Sequence, residues 1–143
     1  MKKLFLFVFL SVFSHAFAQT GHFISPDRFS SSLVSSICQD NLGSIWVGTD
    51  YGLNRFDGYN FGVYLHDDAD STSLSVNTIT VLFSDSSGRL WVGTNRGLDR
   101  FDEATSSFKH YRFPEGLAPR VSSIIQRHDG TILVGTAGYG AFL

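Results

Sequence analysis

The stretch IWVGTDYGLNRFD, residues 45–57, recurs almost unchanged as LWVGTNRGLDRFD at residues 90–102. The two strings differ only at Ile45/Leu90, Asp50/Asn95, Tyr51/Arg96 and Asn54/Asp99. Such a duplication is either two copies of a site or two copies of a building block. The surrounding sequence favours the block. Trp46 and Trp91 are 45 residues apart, as are Gly43 and Gly88, and Asp40 and Asp85. A degraded third copy, HDGTILVGTAGYGAF, occupies residues 128–142, with Leu133 where Trp91 stood. Its glycines, Gly130 and Gly135, follow Gly88 and Gly93 by 42 residues. A period of this size suits a four-stranded propeller blade, although helical repeats share it.

Local chemistry chooses between the two. Each shared string is preceded by an apolar, β-branched run: LVSSICQ, TITVLFS, VSSIIQR. Turn formers then follow, DNLG, DSSG and HDG, each ending on a glycine suited to positive φ. Next come the strands SIWVGT, RLWVGT and TILVGT, and a second tight turn with glycine, Gly52 or Gly97. The strands LNRF and LDRF and then NFGVYLH and SSFKHYRF complete two units. Strands about ten residues apart predict an antiparallel meander. No stretch beyond the N-terminal segment keeps a 3.6-residue period, which excludes helical repeats. The fold class is therefore all-β: a β-propeller of four-stranded antiparallel blades, two complete and part of a third, with repeats at about 30–66, 76–113 and 119–143.

In this reading Trp46 and Trp91 fill the wedge between neighbouring blades. The Gly-Thr pairs, with Gly48, Gly93 and Gly135, are expected to let the chain turn sharply. Gly52, Gly97, Arg55 and Arg100 belong to the same structural repeat. The two arginines suit pairing with Asp57, Asp102 or a neighbouring blade's carboxylate. The alternative for them is a ligand-facing fork for carboxylate or sulfate.

The N-terminus reads as an export signal. MKK is followed by the apolar LFLFVFLSVF and by Ala16-Phe17-Ala18, which predicts a signal peptide at 1–18 and a mature chain at 19–143. Cleavage removes Lys2 and Lys3 and leaves a formal charge of −4, which argues against a direct nucleic-acid contact. Cys38 is the sole cysteine, so no internal disulfide is possible, and its apolar setting suggests a packed thiol.

The pattern D-x-x-G-x-[IL]-W-V-G-T-x-x-G-L-x-R-F-D, at Asp40–Asp57 and Asp85–Asp102, resembles the two-component regulator propeller repeat. The connector LHDDADSTSLSVNTITVLFSD shares the likeness, which spans about Phe23 to Phe142. The resemblance implies the N-terminal sensor region of a hybrid histidine kinase of the kind found chiefly in Bacteroidetes and often tied to polysaccharide use. It implies an exported, periplasmic location, with the parent anchored in the inner membrane through a later segment. It further implies an oligosaccharide ligand, further blades of the same propeller, and a homodimeric parent that signals by phosphorelay to transcription. Further blades, the membrane span and the kinase core would lie after Leu143, so the chain reads as an N-terminal fragment without enzymatic activity or cofactor. The alternatives are a secreted lectin-like or scaffold propeller and a polysaccharide-cleaving propeller.

Function on a repeated scaffold resides where the repeats differ. The turns between second and third strands offer Tyr51, Asn95, Arg96 and Tyr139 as ligand-binding candidates. Stacking of sugars on the tryptophans is the weaker alternative. His66, Asp67, Asp68 and Asp70 form an acidic cluster, but the central glycine and distal glutamate of a calcium loop are absent, so no metal is expected. No nucleophile and base pair stands out, and Asp40 and Asp85 read as turn residues.

Overall fold

The computed structural model describes residues 28–143. The expected signal segment and its cleavage site lie outside the described residues. Three antiparallel sheets follow one another along the chain. The first holds β1 (Val34–Gln39), β2 (Ile45–Thr49), β3 (Gly52–Phe56) and β4 (Phe61–Tyr64) in sequential order. The second repeats the plan with β5 (Ile79–Ser84), β6 (Leu90–Thr94), β7 (Gly97–Asp102) and β8 (Ser107–Tyr111). The third contains β9 (Val121–Gln126), β10 (Ile132–Thr136) and β11 (Gly140–Phe142).

The first strands of the sheets stand side by side. Ser36 Oγ accepts from the Leu82 amide at 3.0 Å, and Thr80 Oγ1 donates to the Val121 carbonyl at 2.6 Å. Each of these strands shifts register once, at Ser35, Thr80 and Ser122, the same place in each repeat. Such bulges increase local twist, which fans the sheets apart from their common inner edge.

Between sheets one and two the wedge is filled by Trp46, Leu53, Leu74, Ile79, Leu82, Leu90, Val92, Phe101 and Phe108. Trp46 is fully buried, its ring 4.8 Å from Phe101 of the next sheet and 5.7 Å from Tyr64 of its own. Trp91, Leu98, Phe113, Val121, Ile124 and Val134 fill the next wedge. The tryptophans are thus inter-blade packing residues, as the repeat predicts.

The tryptophans are also clamped by the repeated acids. Asp40 Oδ1 accepts the Leu42 and Ser44 amides at 3.0 and 2.9 Å, while Oδ2 accepts the Trp46 indole at 2.7 Å. Asp85 does the same with Ser87, Arg89 and the Trp91 indole, the last at 2.8 Å. One carboxylate therefore closes a turn and satisfies the only polar atom of a buried indole. In the third repeat both partners change together: Arg127 stands at the aspartate position and Leu133 at the tryptophan position.

The reason for the glycine of WVGT differs from the sequence expectation. Gly48 and Gly93 lie inside β2 and β6, paired with Leu53 and Leu98, and no turn occurs there. A methyl built on Gly48 would come 2.5 Å from Ile79 Cγ2, and one on Gly93 would come 2.7 Å from Val121 Cγ1. Both clashes involve the inner strand of the next sheet, and at Gly93 Val81 of its own sheet is closer still, at 2.5 Å. These glycines permit close approach of blades. At Gly135 the added methyl would instead strike Ser123 of its own sheet. Sharp turning falls to the threonine: Thr49 and Thr94 donate to the carbonyls of Gly52 and Gly97, at 2.9 and 3.0 Å. They also accept the amides of Tyr51 and Arg96, both at 3.1 Å. Gly52 and Gly97 take φ of 119° and 139°, which a side chain would resist.

Candidate functional site

The turns after β2, β6 and β10 emerge on one face, beside the residues that lead into β1, β5 and β9. The Asp50 amide donates to Leu33 O at 3.2 Å, Asn95 to Thr78 O at 3.1 Å and Ala137 to Arg120 O at 2.9 Å. The four candidate ligand residues therefore share a face but not a single pocket. Tyr51 and Tyr139 are exposed, at 57% and 54%. Asn95 turns part of its side chain inward, and its Oδ1 is buried without a hydrogen-bond partner among the described residues. Arg96 is exposed and lines a hollow of about 460 Å³ with Tyr111, Arg112, Phe113, Gly116 and Leu117.

The connectors are anchored by residues that the sequence reading passed over. Asn54 is fully buried and accepts the Ser30 amide at 2.8 Å, while its Nδ2 donates to Val47 O at 3.2 Å. Asp99, its repeat equivalent, is equally buried and accepts the Ser75 amide at 2.9 Å. Each staples the incoming segment of its blade to the third strand. The signal was present as a short polar residue, Asn or Asp, between the leucine and the arginine of the third strand, at the same position in both copies.

The connector 65–78 crosses the outer edge of sheet two, where the Phe108 amide donates to Thr72 O at 2.7 Å and covers part of the free edge of β8. His110 joins the two, with Nδ1 2.8 Å from Asp99 Oδ1 and Nε2 3.0 Å from Ser71 O. His66 is held similarly: Nδ1 lies 2.6 Å from Leu74 O and Nε2 3.0 Å from Asp68 Oδ1. The Leu74 carbonyl first, and then Asp68, raise the His66 pKa above its ordinary value of 6.5. The remaining acids serve the backbone. Asp67 caps the Ala69 amide and Asp70 caps Thr72. Among the described residues no group of three His, Cys, Asp or Glu side chains is arranged to hold a metal ion.

Arg55 and Arg100 have different fates. Arg55 lies over Trp46, its guanidinium 5.0 Å from the ring, and Nη1 pairs with Glu103 of the next sheet at 2.8 Å. The neighbouring-blade carboxylate is therefore its partner, rather than Asp57. Arg100 forms no ion pair among the described residues. Cys38 is half-buried against the first core cluster, and burial is the main influence raising its thiol pKa. That agrees with a packing role.

Four-stranded meanders arranged around adjacent inner strands define a β-propeller, represented by two complete blades and three strands of a third. Residues 28–51 and 73–96 each match the repeat of the two component regulator propeller family. A stretch of 75 residues is 44% identical to histidine kinase P4 of Formosa agariphila, covering 49% of this chain and 5% of that protein. The chain thus spans a small part of the curated relative it matches. The extracellular domain of a hybrid two component system from B. thetaiotaomicron is similar with a TM-score of 0.73 and 26% identity, over 84% of this chain and 18% of that one. Virginiamycin B lyase from Staphylococcus aureus shares the fold alone, at a TM-score of 0.55 and 16% identity over 71% of this chain and 33% of that one. Among the described residues no helix is long and apolar enough to cross a membrane.

Proposed function

We propose that this chain forms the opening blades of the exported sensor propeller of a hybrid histidine kinase, and that the sensor responds to oligosaccharides. The segment itself does no chemistry in this reading. The observation that carries it is the division of labour between repeated and changing positions. The tryptophans, their aspartates, the glycines and the buried threonines are spent on packing and turns. The residues that differ between copies, Tyr51, Arg96 and Tyr139, project from one face. The likeness to a histidine kinase and to the extracellular domain of a hybrid system supports a sensory role for that face.

A ligand transmits a signal only by binding one arrangement of the protein better than another. In this proposal an oligosaccharide on the propeller face favours one arrangement of a homodimeric, membrane-anchored parent, which changes phosphotransfer and transcription. A transcriptional reporter in cells expressing the full-length protein tests this, with oligosaccharides supplied singly. A response to one glycan class, lost when Tyr51, Arg96 and Tyr139 are replaced together, supports the reading. An unchanged reporter across glycan classes, with the protein folded and exported, refutes it.

A further inference from the structure

We infer that the hollow beside Arg96 and Arg112 is a subsite for the carboxylate or sulfate of an acidic sugar. The inference rests on the glycan-sensing reading and specifies the ligand's charge. Four features of the molecule lead to it.

The first is a difference between blades at equivalent positions. Over Gly52 the space is closed, since an added methyl would come 2.6 Å from Leu65 Cδ2 and 3.0 Å from the Tyr64 carbonyl. Over Gly97 an added methyl meets nothing within 4 Å. The same turn is thus capped in blade one and open in blade two.

The second is the residues bordering the opening. Tyr51 and Leu65 of the first repeat become Arg96 and Arg112 in the second. Both arginines line the one hollow, with Tyr111 and Phe113 as its apolar wall. Neither substitution serves the blade scaffold, because the first repeat forms the same sheet without these charges.

The third is that no carboxylate lines the hollow and the buried or paired acids of these blades are engaged elsewhere. Asp85 binds Arg89 and the Trp91 indole, Asp99 binds Ser75 and His110, and Glu103 pairs with Arg55. Asp129 pairs with Arg127 in the turn between β9 and β10. Among the described residues Arg96 and Arg112 form no ion pair, and Glu115, the acid of the adjoining turn, makes none with them. Two guanidinium groups facing one hollow without internal counter-ions favour an oxyanion, which they bind through paired N–H donors.

The fourth is the turn that borders the hollow. The 3-10 turn Pro114–Gly116, which follows Arg112 in the chain, holds Glu115 at φ 57° and Gly116 at φ 70°. A non-glycine residue in this region is strained. The strained turn brings Gly116, without a side chain, to the wall of the hollow. The volume falls within the range of small-ligand pockets.

Titration calorimetry of the full-length protein tests the assignment with digalacturonic acid, galactose 6-sulfate and uncharged galactobiose as probes. At least one charged sugar is expected to bind, to weaken as salt is raised, and to lose about tenfold in affinity in Arg112→Gln or Arg96→Gln. Arg127→Gln, on the opposite face, should leave affinity unchanged. Thermal melts matching the parent protein show that the glutamine variants remain folded. Unchanged affinity in the folded double variant overturns the assignment, and so does failure of both charged sugars to bind at millimolar concentration. Binding of galactobiose alone overturns the charged subsite while leaving glycan sensing intact. Equal affinity for inorganic sulfate and the sugar sulfate also overturns it, because the site then recognises a free anion.

Discussion

Replacing Trp46 with alanine should destabilise the propeller by about 4 kcal/mol. A fully buried aromatic of this size removes roughly 150–250 Å² from water. At about 25 cal/mol per Å² that is worth about 4–6 kcal/mol. The rings of Phe101 and Tyr64 add edge and tilted contacts, each about 0.5–1.5 kcal/mol. Inward relaxation of the wedge recovers part of the loss, and tryptophan-to-alanine changes in cores fall at about 3–5 kcal/mol. Trp46→Phe separates ring burial from the indole hydrogen bond. It keeps most of the apolar surface and loses the 2.7 Å bond to Asp40. Its cost should be about 1–2 kcal/mol, since Asp40 retains the Leu42 and Ser44 amides. Urea denaturation of the full-length protein, followed by far-ultraviolet circular dichroism, measures both variants without relying on tryptophan emission. An alanine variant within about 1 kcal/mol of the parent would remove Trp46 from the energetic core. Equal destabilisation of the two variants would place the energy in the Asp40 clamp and refute the burial argument.

Gly93→Ala should cost about 1–3 kcal/mol in the same assay, because the new methyl meets two stiff valines, Val81 and Val121, from opposite sides of the wedge. Leu133→Trp alone should destabilise the third sheet, since Arg127 offers the indole no acceptor. Adding Arg127→Asp should recover about 1 kcal/mol or more in a double-mutant cycle, and an additive result refutes the clamp as a unit. Amide protection factors of residues 66–77, corrected for the intrinsic rise of exchange with pH, should fall as pH rises. His66 has a raised folded pKa, so its contribution is complete below the unfolded value of 6.5 and is lost as pH passes the folded one. His66→Gln should flatten its part of that dependence. At the acid end the sign reverses for Asp85. Burial raises its pKa, but the Trp91 indole, Arg89 and the Ser87 amide outweigh burial and hold it below 3.8. Its contribution is therefore lost as pH falls through the folded value, and Asp85→Asn should reduce the acid sensitivity of unfolding.

Strand positions, turn positions and the blade repeat were legible in the sequence because each rests on local chemistry. Gly43, Gly88 and Gly130 mark turns at positive φ, and alternation with β-branched residues marks the strands between them. The wedge role of Trp46 and Trp91 was also readable, because a repeated blade must repeat its packing residues. Other features depended on what the next blade brings into contact. Gly48 and Gly93 looked like turn residues until Ile79 and Val121 were seen against them. Asp40 and Asp85 announced turns, but their bonds to the indoles depend on side chains meeting across six residues of hairpin. Arg55 and Arg100 are indistinguishable in the repeat, and only the placement of Glu103 separates them. The candidate face divides in the same way. Sequence differences picked out Tyr51, Asn95, Arg96 and Tyr139, since variation over a constant scaffold is visible in one chain. Tertiary structure alone placed Arg112 beside Arg96, because a hollow is formed by segments that meet in space rather than in sequence.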